Sequence, residues 1–255
     1  MHSWRVGQLT LALALGALAA WGQDARRIVE EAQRRAHSSS QRYEGLLQVV
    51  DAKGKITEKR WRYHRIGSYG ASRAVVRFTA PAEVKGVALL VVNHPDRPSD
   101  QWLWTPALQR ERRIALQDRA TRFFGTDFSY EDIEERDIDQ YDYPWLNEET
   151  LDGEACWRIE ARPRKTRSSQ YTRLQLWIRK QNYVMARIDS YVHERLVRQL
   201  KCGSVENVQG IWTARLLEMS DLRRGGRTVL KLDKLQYNLA MKPEEFTLQA
   251  LRRES

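Results

Sequence analysis

The sequence predicts a mainly β chain with some helix (α+β), built around one large antiparallel sheet. Three observations predict it. Short runs alternate apolar and polar residues from about residue 46 to residue 237. Glycine, proline and asparagine punctuate those runs at turn spacing. No repeat, long linker or low-complexity stretch divides the chain, so residues 23–255 read as a single domain. Regularly spaced strands with one apolar face pack as a sheet curled into a barrel or folded as a sandwich.

The first residues stand apart. MHSWRVGQLTLALALGALAAWGQD carries Arg5, an apolar run from Leu9 to Ala20, and the small-x-small triplet Ala20-Trp21-Gly22. This pattern predicts a secretory signal peptide over 1–22, with Gln23 as the new N-terminus and Ala17-Leu18-Ala19 as a second cleavage option. The run is near half of the ~20 apolar residues that a spanning helix needs. No cysteine follows it to take a lipid anchor. The chain is basic, with net charge +10. In a cytoplasmic protein that would point to nucleic acid. In an exported one it points to anionic lipid headgroups or acidic protein surfaces, so no nucleic-acid partner is expected.

The elements follow in order. DARRIVEEAQRRAH sets Ala25, Ile28, Val29, Ala32 and Ala36 on one helical stripe, with Asp24 as N-cap. LLQVVDAKGKITEKRWRYHRI reads as two strands around a turn at Lys53-Gly54, and SRAVVRF as a third strand. APAEVKG places Pro81 where a helical turn could open and Gly86 where it could close. VALLVV suits a buried strand. QWLWTPALQRERRI reads as a hairpin turning near Thr105-Pro106, with Trp102 and Trp104 on one face. The second half is a meander. Trp157 and Ile159 share a face of one strand, and Leu174, Leu176 and Ile178 share a face of the next. The basic run RPRKTRSSQ reads as a solvated hairpin loop, and Arg158, Arg173, Arg187 and Arg198 as solvated sheet exterior. In KPEEFTLQAL, Pro243 opens a helical turn that brings Phe246, Leu248 and Leu251 toward the core.

The segment RFFGTDFSYEDI looks catalytic, because Asp127, Glu131 and Asp132 crowd beside two hydroxyls. Its spacing has a structural explanation. With Ser129 as N-cap, Asp132 stands at the third helical position of a capping box. Phe128 and Ile133 take the two positions of a hydrophobic staple. Gly125 allows the turn before it. Carboxylates in such a cap are expected to stay ionised and exposed. A hydrolase using Asp127 or Glu131 is the weaker reading.

Motif searches find no nucleophile elbow, P-loop, dinucleotide fingerprint or zincin signature. Histidines and the two cysteines lack zinc spacing, and Cys156 and Cys202 are expected to be unpaired, so no metal and no cofactor are expected. Nine tryptophans are many for this length. They suit ordinary core and sheet-face packing, or the walls of an apolar cavity inside a curved sheet. The candidate cavity residues are Trp102, Trp104, Trp157, Ile159, Leu174, Leu176, Ile178 and Trp212.

The segments RFTAPAEVKGVALLV, DQWLWTPALQRERRI, FFGTDFSYEDI, LDGEACWRIEARP and EEFTL, from Arg77 to Leu248, resemble the bacterial outer-membrane lipoprotein-sorting family, which is related to the periplasmic lipoprotein carrier LolA. The FGTDFSYEDI block is the most specific of them. The resemblance implies an unclosed LolA-like barrel, with helices on its concave side. It implies a periplasmic, non-enzymatic carrier that binds lipid or the acyl chains of lipoproteins. Further partners it implies are an inner-membrane exporter or an outer-membrane acceptor. The alternative it leaves is an accessory protein docking on a resistance-nodulation-division type exporter.

Overall fold

The computed structural model describes residues 24–253. The expected signal peptide lies outside the described residues. Helix α1 covers residues 24–36. Thirteen strands follow: β1 (Ser40–Val50), β2 (Ile56–Ile66), β3 (Arg73–Ala80), β4 (Ala88–Val92), β5 (Asp100–Thr105), β6 (Arg110–Arg113), β7 (Tyr141–Leu151), β8 (Glu154–Pro163), β9 (Arg173–Arg179), β10 (Met185–Val192), β11 (Arg195–Val208), β12 (Ile211–Asp221) and β13 (Gly226–Tyr237). A 3₁₀ turn at Pro243–Phe246 leads to α2 (Leu248–Arg252).

All thirteen strands form one sheet in the order β6-β5-β4-β3-β2-β1-β13-β12-β11-β10-β9-β8-β7. The neighbours pair antiparallel, including β1 with both β2 and β13. The first and last strands therefore meet in the middle, and β6 and β7 are free edges. The sheet is not closed. It curls, because Tyr63 on β2 and Tyr143 on β7 line the same cavity although seven strands lie between theirs.

Both edges carry features that discourage pairing with another chain. β6 has four residues, Arg110-Glu111-Arg112-Arg113, and three of them are arginine. β7 contains Pro144, and its register shifts between Asp142 and Trp145. Short charged edges, proline and irregular register are standard protections.

The one long connection, residues 114–140, leaves β6, crosses the inner face of the sheet and enters β7 at the opposite edge. Phe123, Phe128 and Tyr130 of this strap pack with Leu47, Trp61, Phe78 and Leu230 in one inner core. Phe78 and Phe123 stack with ring centroids 5.4 Å apart, and Trp61 meets Phe78 edge-on at 5.8 Å. Gly45 makes room for that indole: a Cβ there would land on the Trp61 ring and within 2.9 Å of Leu230 Cδ1. A second inner core joins Ala25 and Val29 of α1 to Ile159, Leu174, Leu176 and Ile178. On the outer face, Phe246 and Leu251 cover Ala88, Leu90 and Trp104.

Several expectations need correction. Asp24 is already helical, so it does not cap α1; its carboxylate lies 3.9 Å from Arg27. The loop after β8 is not simply solvated, because Arg167 turns inward and its side chain is only 4% exposed. Arg198 is not exterior either. A bulge at Ser190/Tyr191 shifts the β10–β11 register, and both Val197 and Arg198 are buried. Arg158, Arg173 and Arg187 do cover outer surface, where Arg158 and Arg187 lie 5.4 and 4.7 Å from the centroid of the Trp177 ring.

Candidate functional site

The strap is fixed first, and its fixing shapes the site. Ser129 and Asp132 make the reciprocal hydrogen bonds expected of a capping box, although Ser129 is not the N-cap. The Ser129 amide and hydroxyl donate to Asp132 Oδ2 at 2.8 and 2.7 Å, and the Asp132 amide donates to Ser129 Oγ at 3.3 Å. The turn between them is a single 3₁₀ turn, Glu131–Ile133, whose N-cap position is Tyr130, one residue later than expected. Phe128 and Ile133 join the same core, and Gly125 has φ +74°, a conformation that favours glycine.

The carboxylates are buried rather than exposed. Arg198 lies 3.2 Å from Asp132 and 3.6 Å from Asp221. Arg119 donates to Glu134 at 2.8 Å, and Arg167 stands 3.6 Å from the same carboxylate. Arg65 of β2 lies 3.4 Å from Glu135. Asp127 accepts from Thr228 Oγ1 at 2.7 Å and from Arg122 at 3.2 Å. Glu131 accepts from the Gln170 amide at 2.9 Å. Burial pushes the carboxyls of Glu134 and Glu135 up, against the pull of their arginines. Neither Asp127 nor Glu131 lines the cavity described next, and their acceptor positions serve the fold.

Between strap, helix and sheet lies a half-open cavity of about 790 Å³. Its floor comes from the inner positions of β9 to β13, including Leu174, Leu176, Ile178, Leu200 and Leu232. Val29 and Ala32 of α1 form one wall, and Glu134, Glu135 and Arg136 of the strap form another. The helix is tied to the strap, as Gln33 Nε2 donates to the Arg136 carbonyl at 2.6 Å. Tyr63, Tyr69, Tyr141 and Tyr143 add aromatic lining, and burial raises the hydroxyl pKa of each. Burial likewise pushes the Cys202 thiol up to about 12. Cys156 and Cys202 are both free.

Of the eight sequence candidates, Leu174, Leu176, Ile178 and Trp212 line the cavity. Trp212 is 47% exposed. Ile159 packs with the lining residues Leu174, Leu176 and Ile178, and Trp157 lies 4.9 Å from the Tyr183 ring of the lining. Trp102 and Trp104 are elsewhere. They belong to the outer-face cluster with Phe246 and Leu251, because β4 and β5 are buried on both faces and their inward positions go to Leu89, Val91 and Leu103. The sequence reading missed the tyrosines and Arg136. Tyr63 follows Trp61 at strand spacing, as Tyr143 follows Tyr141, and that period could have found them. Among the described residues, no group of three or more His, Cys, Asp or Glu is set to hold a metal ion. No helix among them is long and apolar enough to cross a membrane.

An unclosed antiparallel sheet curled around an apolar cavity, with a helix and a strap on its inner face, defines the LolA-like class of folds. A family model described as that of an uncharacterized protein matches residues 70–253, and the chain belongs to that family. The chain is similar to a DUF1329 family protein from Desulfovibrio piger, with 27% identity and TM-score 0.85 over 91% of this chain and 99% of that one. It is similar to a domain from Vibrio parahaemolyticus described as an outer membrane lipoprotein-sorting protein, with 23% identity and TM-score 0.86 over 91% and 100% of the two chains. A LolA superfamily protein from Nitrosomonas europaea shares the fold at 19% identity and TM-score 0.67, over 87% and 98%. The unclosed LolA-like fold implied by the resemblance is therefore the fold of this chain. No curated protein matches the chain.

Proposed function

We propose that the protein is a periplasmic, non-enzymatic carrier that shields an acyl chain of a lipid or lipoprotein in this cavity. The carrying observation is the cavity itself: about 790 Å³, half-open, and floored by leucine and isoleucine from successive strands. Sites for small apolar ligands typically span ~300–1,000 Å³. The similarity to lipoprotein-sorting and LolA superfamily folds supports the same reading.

The energetics need no catalytic group. Each buried methylene is worth ~0.8 kcal/mol, so an eight-carbon chain gains roughly 6 kcal/mol and a sixteen-carbon chain roughly 12. Association costs on the order of 4–15 kcal/mol in lost freedom. The cost is nearly independent of chain length while the gain grows with it, so affinity rises steeply with chain length. The test is native mass spectrometry of protein purified from its own periplasm, together with titration of a fluorescent fatty-acid probe. Copurified lipid and probe affinity that rises with chain length support the carrier. Absence of both overturns it.

A further inference from the structure

Among the described residues, one charged side chain that lines the cavity has no ion-pair or hydrogen-bond partner. Five charged side chains of α1 and the strap line it: Arg34, Arg35, Glu134, Glu135 and Arg136. Four of them are spoken for. Arg34 and Arg35 both reach Glu31, each at 2.6 Å. Glu134 is held by Arg119 and Gln101, at 2.8 and 2.7 Å, and Glu135 by Arg65 at 3.4 Å with the Ser72 hydroxyl donating to it. Nearby Asp137 and Asp139 are also engaged, the first by the Asp139 amide at 2.8 Å and the second by Arg26. Arg136 has no such partner among the described residues: no carboxylate pairs with it and no acceptor receives its guanidinium hydrogens.

Its position is nevertheless fixed. The Gln33 bond to its carbonyl pins the backbone between α1 and the strap. The side chain lines the cavity, and its charge acts on Tyr141 of β7 and Cys202 of β11, which also line it. Tyr63 and Tyr69 accompany it in the lining. Arg136 is partly exposed in the half-open cavity, where an arriving anion can reach its guanidinium, and its planar fork of donors suits carboxylate or phosphate.

We propose that Arg136 is the headgroup anchor of the cavity, which takes a single-chain amphiphile with an anionic head, carboxylate or phosphate, and places that head on the guanidinium. This rests on the carrier reading and narrows it. A neutral glyceryl ester fills the apolar floor equally well but leaves Arg136 unpaired.

The experiment measures displacement of a fluorescent fatty-acid probe by palmitate, lysophosphatidate and neutral monopalmitoylglycerol, on the wild-type protein, Arg136→Gln and Arg136→Lys. Circular dichroism checks that each variant is folded. Both anionic ligands, or one of them, should bind the wild type at least about tenfold more tightly than the neutral one, equivalent to ~1.4 kcal/mol. Arg136→Gln should erase that preference while leaving monopalmitoylglycerol affinity unchanged, and Arg136→Lys should restore part of it. The tighter of palmitate and lysophosphatidate identifies the head as carboxylate or phosphate. Equal affinity for neutral and anionic ligands, or a preference that survives in Arg136→Gln, overturns the anchor and leaves the carrier standing. If the probe binds but neither anionic ligand displaces it, the anchor is overturned; if the probe itself does not bind and no lipid copurifies, both readings are.

Discussion

Arg198 and Asp132 meet at 3.2 Å with both side chains 1% exposed, which joins β11 to the strap in the interior of the sheet's curl. The same guanidinium approaches Asp221 at 3.6 Å, and its Nη1 donates to the Tyr171 hydroxyl at 2.8 Å. One arginine thus bridges two buried carboxylates, Asp132, which also accepts from Ser129 and Tyr171, and Asp221, which Arg223 also approaches at 3.2 Å. A buried charge without its partner is strongly destabilising. Arg198→Met should cost about 3–5 kcal/mol in urea unfolding. That is a drop of several degrees or more in Tm, at roughly 2–4 °C per kcal/mol for a domain of this size.

Gly45 supplies a prediction of the opposite kind, overpacking. A Cβ at this position would strike the Trp61 indole, which is held by Phe78 and Phe123. The ring has nowhere to retreat. Gly45→Ala should destabilise by about 1–3 kcal/mol despite adding one methyl group. Thermal unfolding monitored by tryptophan fluorescence checks it.

The two sets of candidate residues should separate in binding assays. Leu176→Trp places an indole into the cavity and should weaken a fatty-acid probe by about tenfold, or ~1.4 kcal/mol, at an overpacking cost of about 1–3 kcal/mol in stability. Trp104→Ala removes an outer-face side chain packed near Phe246 and should cost about 3–5 kcal/mol of stability while leaving probe affinity unchanged. Probe titration and urea unfolding of both variants give the comparison.

Acid stability should depend on Asp100 and Asp221. Burial raises both carboxyls, but Arg97, Arg113 and His94 around Asp100, and Arg223 with Arg198 around Asp221, outweigh it and hold both below the usual carboxylate range. A depressed folded-state pKa contributes stability that is full above the unfolded value of ~3.9 and is lost as pH falls through the folded one. Asp127 has the opposite sign. Burial raises it, so its contribution is full below ~3.9 and fades as pH rises through its folded value. Asp100→Asn should therefore lower stability at neutral pH and flatten the acid limb of the curve. Asp127→Asn should be better tolerated at neutral pH than in acid. Urea unfolding across pH measures both.

The thiols should be inert. Burial raises the pKa of Cys156, and that of Cys202 to about 12, so thiolate is scarce near neutral pH. Iodoacetamide should add mass to neither cysteine in the native protein and to both after unfolding, as read by intact mass.

The sheet was legible because most of its strands have one wet face, so alternation marks both the strand and its inward side, as at Leu174, Leu176 and Ile178. It failed at Trp102 and Trp104, where β4 and β5 are covered on both faces and alternation no longer says which side is the cavity. Only the position of Phe246 and Leu251, far along the chain, decides it. Arg198 was misread for a different reason: a bulge shifts the register, and nothing in RLVRQLKC marks where the extra residue falls. The Ser129–Asp132 cap was legible because it is local. Its burial was not, since that depends on partners such as Arg198 from another strand. Arg136 carried no pattern at all, and its meaning comes only from which neighbouring carboxylates are already taken.

The strap between β6 and β7 has a mechanical consequence. The arc of strands is completed by the polypeptide itself, not by a hydrogen-bonded ladder between its ends. A closed barrel must break strand pairing to widen. Here no ladder joins the two rims among the described residues, so their spacing is set by the strap and by what clasps it, Arg198 on Asp132, Thr228 on Asp127 and the helix through Gln33.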